Sequence, residues 1–367
     1  MLNDRRSIEE LINVLDFEDE SSRVIDLPFW NYLATGAGDG HGVLENCSSW
    51  SNHKIVPRVL RGVTHPDLGV KVLNRLWEHP IGLAPIASHG LYDAQGEIST
   101  QRGAQDSGST LQLSTHSTIG IDEFASVTNY PWWFQLYIHR DRGVTTGLLE
   151  KAVKNRAEAI VLTVDTPVAG YRDLDRRSFT DSTARLTPGQ PDSDYPNLSD
   201  LKRYSDARPR HMKVLDPFLD PSISWKDLEW LLSNSELPVL VKGISHVDDA
   251  MLALKMGVKG LIVSNHGGRN LDGAVTSAQQ IRQIRQEVGD EPLIFVDGGI
   301  RRGSDIFKAV ALGANAVLIG RPYIWGLSLF GASGVQRVIE ILRTELETTM
   351  ILAGANSLKE ITSEYLV

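Results

Sequence analysis

PVLVKGISHVDDAMLALKMGVKGLIVSNHGG, residues 238–268, is the stretch on which the architecture turns. It opens with a short apolar run, PVLVKGI, and closes with a second, GLIVSNH. Between them Ser245 followed by Asp248 has the pattern of a capping box, Val247, Met251 and Leu254 share one helical face, and Gly257 supplies the stop. Strand, helix and strand within about 30 residues make a βαβ unit, and its two strands must run parallel because the helix carries the chain back. Both runs are near-continuous apolar strings rather than alternations, as expected of strands covered by helices on the outside.

Working outward, the same pattern recurs from about residue 80 to the end. The apolar runs are IGLAPIA (81–87), TLQLST (110–115), WFQLYI (133–138), AIVLTVD (159–165), PVLVKGI (238–244), GLIVSNH (260–266), PLIFVDGG (292–299) and AVLIGRP (316–322). Eight such units predict a closed (β/α)8 TIM barrel of the α/β class over residues 80–367. The intervening helices have the expected spacing. Val144, Leu148 and Ala152 repeat every four residues, and Ser304 opens a helix carrying Phe307 and Val310 that Gly313 closes.

Two segments break the repeat. Residues 1–79 read as an N-terminal extension with a strand pair around 55–75, expected to plug or flank the barrel's N-terminal end. Residues 178–223 hold Pro188, Pro191, Pro196, Pro209, Pro217 and Pro221 among polar residues, and so read as a long irregular loop. Its place after the fourth strand hangs it over the barrel's C-terminal face, as a mobile lid on the site or else as an insertion with no role.

Composition narrows the function classes. The 367 residues include 41% hydrophobic and 23% charged residues, ordinary for a folded soluble chain. A net charge of −9 argues against non-specific binding to nucleic acid or to an anionic membrane, so an acidic substrate needs local arginines. A single cysteine, Cys47, excludes an internal disulfide and any multi-cysteine metal centre, and fits a reducing compartment. The N-terminal MLNDRRSIEELINVLDFEDE has no signal-peptide run, no segment has the ~20 apolar residues of a membrane helix, and the end SEYLV lacks a Ser-Lys-Leu address. The expectation is a cytoplasmic protein.

In such a barrel, polar side chains at the strand ends converge on one volume. Those here are Ser114 and His116, Gln135 and Tyr137, Thr163 and Asp165, Lys242, then Ser264, Asn265, His266 and Arg269, Asp297 and Arg301, and Gly320 and Arg321. The last two strands end in DGGIRRG and IGRP. Their glycines let backbone N–H groups approach a ligand and their arginines suit phosphate oxygens; otherwise the glycines serve only tight turns. Lys242 at the end of an apolar strand reads as a Schiff-base lysine, as a cation set against an electron-accepting cofactor, or as half of an ion pair. In SNHGGRNLD (264–272), His266 is a base at a strand end, and Arg269 can grip a carboxylate with a bidentate fork.

These motifs resemble the FMN-dependent 2-hydroxy-acid oxidases and dehydrogenases: glycolate oxidase, lactate oxidase, mandelate dehydrogenase and the flavocytochrome lactate dehydrogenases. The likeness runs from about residue 30 to the C-terminus through NYLATGA (31–37), APIASHGLYDAQGE (84–97), WFQLYIHRD (133–141), LTVDTPVAGYRD (162–173), LVKG (240–243), SNHGGRNLD, DGGIRRGSDIFKAVALGA (297–314) and IGRP. APIASHGL and YRDLD look closer to lactate oxidase than to glycolate oxidase.

The resemblance implies FMN as cofactor and a small 2-hydroxy acid as substrate, with O2 or another acceptor. It implies His266 as the base that takes the substrate's hydroxyl proton while hydride leaves for the flavin, with Asp165 holding the imidazole. Arg172 and Arg269 would clamp the carboxylate, Tyr32 and Tyr137 would hydrogen-bond the substrate, and Lys242 would stabilise the reduced flavin. Ala87, Ser114, Gln135, Thr163 and Ser264 fall at flavin-ring contacts, and Asp297, Gly299, Arg301, Gly320 and Arg321 at ribityl and phosphate contacts. A homotetramer is implied too.

Three departures bear on substrate choice. His116 stands where glycolate oxidase has tryptophan and lactate oxidase tyrosine, Ile86 replaces a threonine, and Asn270 a common glutamine. The leading expectation is an (S)-2-hydroxy-acid oxidase that makes a 2-oxo acid and hydrogen peroxide. Its rivals are a quinone-linked dehydrogenase or decarboxylating monooxygenase of the same family, a non-redox phosphate-binding lyase or isomerase using Lys242, and an inactive flavin-binding scaffold.

Overall fold

In a computed structural model of the chain, residues 6–178, 195–199 and 219–367 are described. All eight expected runs form strands. They are β3 (Ile81–Leu83), β4 (Leu111–Ser114), β5 (Trp132–Leu136), β6 (Ile160–Thr163), β7 (Val239–Ile244), β8 (Gly260–Val263), β9 (Leu293–Asp297) and β10 (Ala316–Ile319). They close into one parallel barrel in sequence order, with β10 paired to β3.

The alternation of side chains along each strand sorts the apolar residues into two cores. Residues such as Ile160, Val239, Leu261 and Val296 face outward and pack under the helices. The other parity, including Trp133, Val161, Leu240, Ile262, Phe295 and Leu318, fills the barrel axis. A hairpin of β1 (Val70–Val72) and β2 (Arg75–Trp77) closes the axis from the N-terminal side. Trp77 packs there against Trp133 and Phe295, with ring centroids 5.6 and 5.9 Å apart. Burial of a ring this size contributes roughly 2–3 kcal/mol. The hairpin therefore lies later than the strand pair expected around 55–75; residues 54–58 instead run beside the C-terminus through an isolated bridge from Ile55 to Leu366.

Only part of the N-terminal extension sits at the expected end. The helix Val14–Val24 lies against the long helical run Arg321–Ala353, with Ser21 donating to the Trp325 carbonyl at 3.1 Å. The next two helices, Leu27–Ala34 and His41–Asn52, reach the barrel's C-terminal face, opposite the hairpin. There the Ala37 N–H donates to the Gly268 carbonyl and the Gly38 N–H to that of Tyr171. Asp272 accepts from the N–H groups of Asp39 and Gly42, placing a carboxylate at the N-terminal end of the second of these helices.

Helix starts differ from expectation by a residue or so. The helix Val247–Met256 is capped by His246, whose Nδ1 accepts from the Asp248 N–H, rather than by Ser245. Its buried face is Ala250 and Ala253, leaving Met251 half exposed, while Gly257 ends it in the left-handed conformation as expected. The helix Gly303–Ala311 starts after Arg302 rather than at Ser304, because Asp305 turns back to the N–H groups of Arg301 and Arg302. Most of the lid expected at 178–223 lies outside the described residues. Among the described residues no helix is long and apolar enough to cross a membrane.

Candidate active site

The inward-facing parity that fills the barrel axis continues upward into a polar layer. Two residues beyond Trp133, Val161, Leu240, Ile262 and Phe295 come Gln135, Thr163, Lys242, Ser264 and Asp297, and Ser114 joins them from β4. All six are buried. Ser114 donates to Gln135 Oε1 at 3.2 Å, and Gln135 Nε2 donates to Thr163 at 3.0 Å. Lys242 Nζ lies 2.9 Å from Ser264 Oγ and 3.0 Å from Asp297 Oδ2.

Burial alone would lower the Lys242 pKa, but the carboxylates of Asp297 and Asp165 more than offset it and hold the ammonium above the ordinary lysine value. A protonated, paired lysine has no lone pair for Schiff-base chemistry, which removes the main support for a lyase. Asp297 Oδ1, also buried, has no hydrogen-bond partner among the described residues, so it can accept from a ligand hydroxyl.

Just past β8, His266 sits in the left-handed region at φ 58°, a costly conformation for a residue with a Cβ. The turn is held by its surroundings. The His266 N–H donates to Ser264 Oγ at 3.0 Å, and Gly268 packs so tightly that a Cβ there would lie 2.5 Å from the Gly42 carbonyl carbon. His266 Nδ1 meets Asp165 Oδ1 at 2.8 Å and Thr166 Oγ1 at 3.1 Å. Burial opposes ionisation of Asp165, but His266, Lys242 and Thr166 outweigh it and keep the carboxyl below its ordinary pKa. An ionised Asp165 accepts from Nδ1–H, and this fixes the tautomer with the lone pair on Nε2. Asn270 donates to the Asp165 carbonyl and to Thr166 Oγ1, steadying this loop from the far side.

Tyr32 brings the other expected residues together. The Arg269 guanidinium lies 5.0 Å from its ring centroid and that of Arg172 lies 5.8 Å away. The carbonyl oxygens at the end of helix Leu27–Ala34 position the guanidinium groups. Arg269 donates to those of Tyr32 and Thr35, and Arg321 to those of Leu33 and Thr35. Burial, followed by the like charges of Arg269 and Arg301, lowers the Arg321 pKa to about 9. Cations crowded in this way are a fit for an anionic group such as a phosphate.

At the mouth, His116 lies between two tyrosines. Its ring centroid is 5.2 Å from that of Tyr137 and 4.6 Å from that of Tyr195, the latter pair stacked at 20°. The residue keeps some exposed surface, yet burial of the ring, helped by nearby His139, lowers its pKa to about 3. Burial likewise lowers the pKa values of His79 and His89. A neutral histidine in the fold competes with a protonated one in the unfolded chain. Stability should therefore be full above pH about 6.5 and fall below it, by up to about 1.4 kcal/mol per pH unit for each such group. Urea midpoints at pH 7.5 and pH 5 test this; equal midpoints would mean that these rings take up protons in place.

The structure thus gathers His266, Asp165, Tyr32, Arg172 and Arg269 at one side, and the six polar layer residues beneath. Arg301 lies over the Trp325 ring at 4.8 Å, Gly299 follows β9, Gly320 follows β10, and Ala87 lies in the half-buried loop after β3. Several participants were not expected from sequence: Thr166, the carbonyls at 32–35, Tyr195, and Asn46, whose amide pairs at 2.9 Å with that of the expected Asn265. The parity of the strands could have revealed the polar layer as one set. Contacts between remote loops leave no such periodic trace.

A parallel barrel with a histidine–carboxylate pair, clustered arginines and a buried lysine at its mouth defines a class of anion-binding barrel enzyme. Over residues 21–367 the chain matches the FMN-dependent dehydrogenase family, and it belongs to that family. It is 39% identical over 366 residues to an L-lactate oxidase of Nostoc sp., covering 98% of this chain and 99% of the relative. It is 36% identical to the 2-hydroxyacid oxidase 1 of Homo sapiens, covering 96% of each. Among solved structures, the flavin-binding domain of baker's yeast flavocytochrome b2 superposes with a TM-score of 0.87 at 29% identity, over 99% of this chain and 88% of that one. The protein is an FMN-dependent oxidoreductase.

Proposed function

We propose that this enzyme oxidises an (S)-2-hydroxy acid to the 2-oxo acid and passes the electrons to O2, giving hydrogen peroxide. The observation that carries the reading is the 2.8 Å contact of His266 Nδ1 with Asp165, made beside the guanidinium groups of Arg172 and Arg269. Relatives named L-lactate oxidase and 2-hydroxyacid oxidase support it.

The residues divide the work as follows. Arg172 and Arg269 bind the substrate carboxylate and orient the α-carbon, with Tyr32 and Tyr137 hydrogen-bonding beside them. His266 Nε2 accepts the proton of the substrate hydroxyl, and Asp165 stabilises the imidazolium that forms. FMN, when bound, would supply the two-electron chemistry as the hydride acceptor. Ala87, Ser114, Gln135, Thr163 and Ser264 would border its ring, Asp297 would accept from a ribityl hydroxyl, and Gly299, Arg301, Gly320 and Arg321 would hold its phosphate. Lys242 provides fixed positive charge in the layer below.

The test is to mix the FMN-loaded enzyme anaerobically with a panel of (S)-2-hydroxy acids, follow loss of the visible flavin absorption, and then admit oxygen. Bleaching followed by rapid recovery and stoichiometric peroxide is expected. Absence of bleaching across the panel would overturn the substrate class. Recovery with a quinone analogue and not with oxygen would replace the oxidase by a dehydrogenase.

A further inference from the structure

We propose that Asn197 is a positioning residue which pins Tyr195 against His116 and thereby sets the width of the pocket for the substrate's side chain. The proposal rests on the hydroxy-acid oxidation inferred above. Asn197 comes from the short helical turn Pro196–Leu198, far in sequence from the loop it holds, and is only 6% exposed.

All of the Asn197 amide is engaged with that loop. Its Oδ1 accepts from the Ile121 N–H at 3.0 Å, while Nδ2 donates to Ser117 Oγ at 3.0 Å and to the Thr115 carbonyl at 3.3 Å. Thr115 and Ser117 are the two neighbours of His116. The helix Ile121–Ser126 follows Gly120 and has no capping side chain of its own, so Asn197 supplies the missing acceptor from outside. Leu198, 1% exposed, anchors the same turn in the hydrophobic core.

Two residues before Asn197, Tyr195 places its ring on His116 at 4.6 Å, and His116 in turn meets Tyr137 at 5.2 Å. One amide therefore grips the backbone on both sides of His116 and fixes the chain that delivers the ring stacked on it. Buried as it is, Asn197 acts through these rings. Removing it leaves an N–H, a carbonyl and a hydroxyl without this partner, and gives the two segments freedom to separate.

The experiment compares wild type with Asn197→Ala and Asn197→Asp, all FMN-loaded, using (S)-lactate as a small substrate and (S)-mandelate as a bulky one. Aspartate keeps an acceptor for the Ile121 N–H but loses both donations, because the Ser117 hydroxyl already gives its proton to the Ile119 carbonyl and the Thr115 carbonyl can only accept. For Asn197→Ala, kcat/KM for lactate should fall about tenfold through KM, with kcat changed less than about twofold, while mandelate loses little or gains. Asn197→Asp, which keeps one of the three bonds and sets a carboxylate against the Thr115 carbonyl, should lose at least as much. Equal losses for both substrates, a loss confined to kcat, or no change would each overturn the proposal.

A second readout separates this proposal from the assignment of the reaction. In protein labelled with 13Cε1-histidine, Asn197→Ala should shift the His116 ring resonance as Tyr195 moves away, and Asn197→Asp should shift it as well. If wild type is bleached by no member of the 2-hydroxy-acid panel, the hydroxy-acid assignment fails and the ring resonance alone decides. An unmoved resonance then sinks the clamp.

Discussion

Replacing His266 by Ala should slow anaerobic, substrate-driven bleaching of the flavin by roughly 10³-fold, while leaving FMN bound. The expectation follows from three features of the site. Asp165 holds Nδ1 at 2.8 Å, so the acceptor lone pair is directed through Nε2. Ser264 and the packing of Gly268 hold the turn that puts the ring there. Water can replace the lost base only in part, because it lacks the carboxylate that stabilises the positive ring. Alanine keeps a Cβ in the left-handed conformation and leaves Asp165 without this partner, so the melting temperature should fall modestly rather than rise. Stopped-flow reduction at saturating substrate is the measurement. A rate within about tenfold of wild type would show that another group takes the proton.

The second large effect concerns stability. Lys242→Met should destabilise the protein by about 3–5 kcal/mol in urea, because Asp297 is left as a buried carboxylate without its cation. The ion pair is 3.0 Å long and its two side chains are 4% and 8% exposed. Replacing both partners, as Lys242→Met with Asp297→Leu, should restore much of the loss in the FMN-free protein. The pH dependence has a definite sign. The Lys242 pKa is raised in the fold, so its contribution is complete below the unfolded lysine value near 10.5 and is lost as pH rises through the folded value. Matching urea midpoints for wild type and Lys242→Met would refute this account. A double variant no more stable than the single one would show that Asp297 is not the group left stranded.

Much of this could be read before any coordinates, for reasons visible in particular residues. PVLVKGI and GLIVSNH announce strands because a doubly covered strand needs an unbroken apolar string, and their separation leaves room for one helix. His266, Lys242 and Asp297 stood out because a polar group at the end of such a string must face a ligand or a partner. The position of residues 27–52 did not, since a short helix such as Leu27–Ala34 has no periodicity that says which end of a barrel it covers. Its carbonyls orient Arg269 and Arg321, and backbone acceptors carry no signature in a sequence. His246 as a cap was missed because its ring nitrogen did the work usually assigned to a serine hydroxyl. Asn197 was invisible for a simpler reason, as its partners lie about 80 positions earlier.

The tryptophan-stoppered hairpin has a bearing on traffic. With Trp77, Trp133 and Phe295 wedged together at the base, nothing travels along the axis from below. Among the described residues, a visitor to the polar layer is therefore left the side where the strands finish.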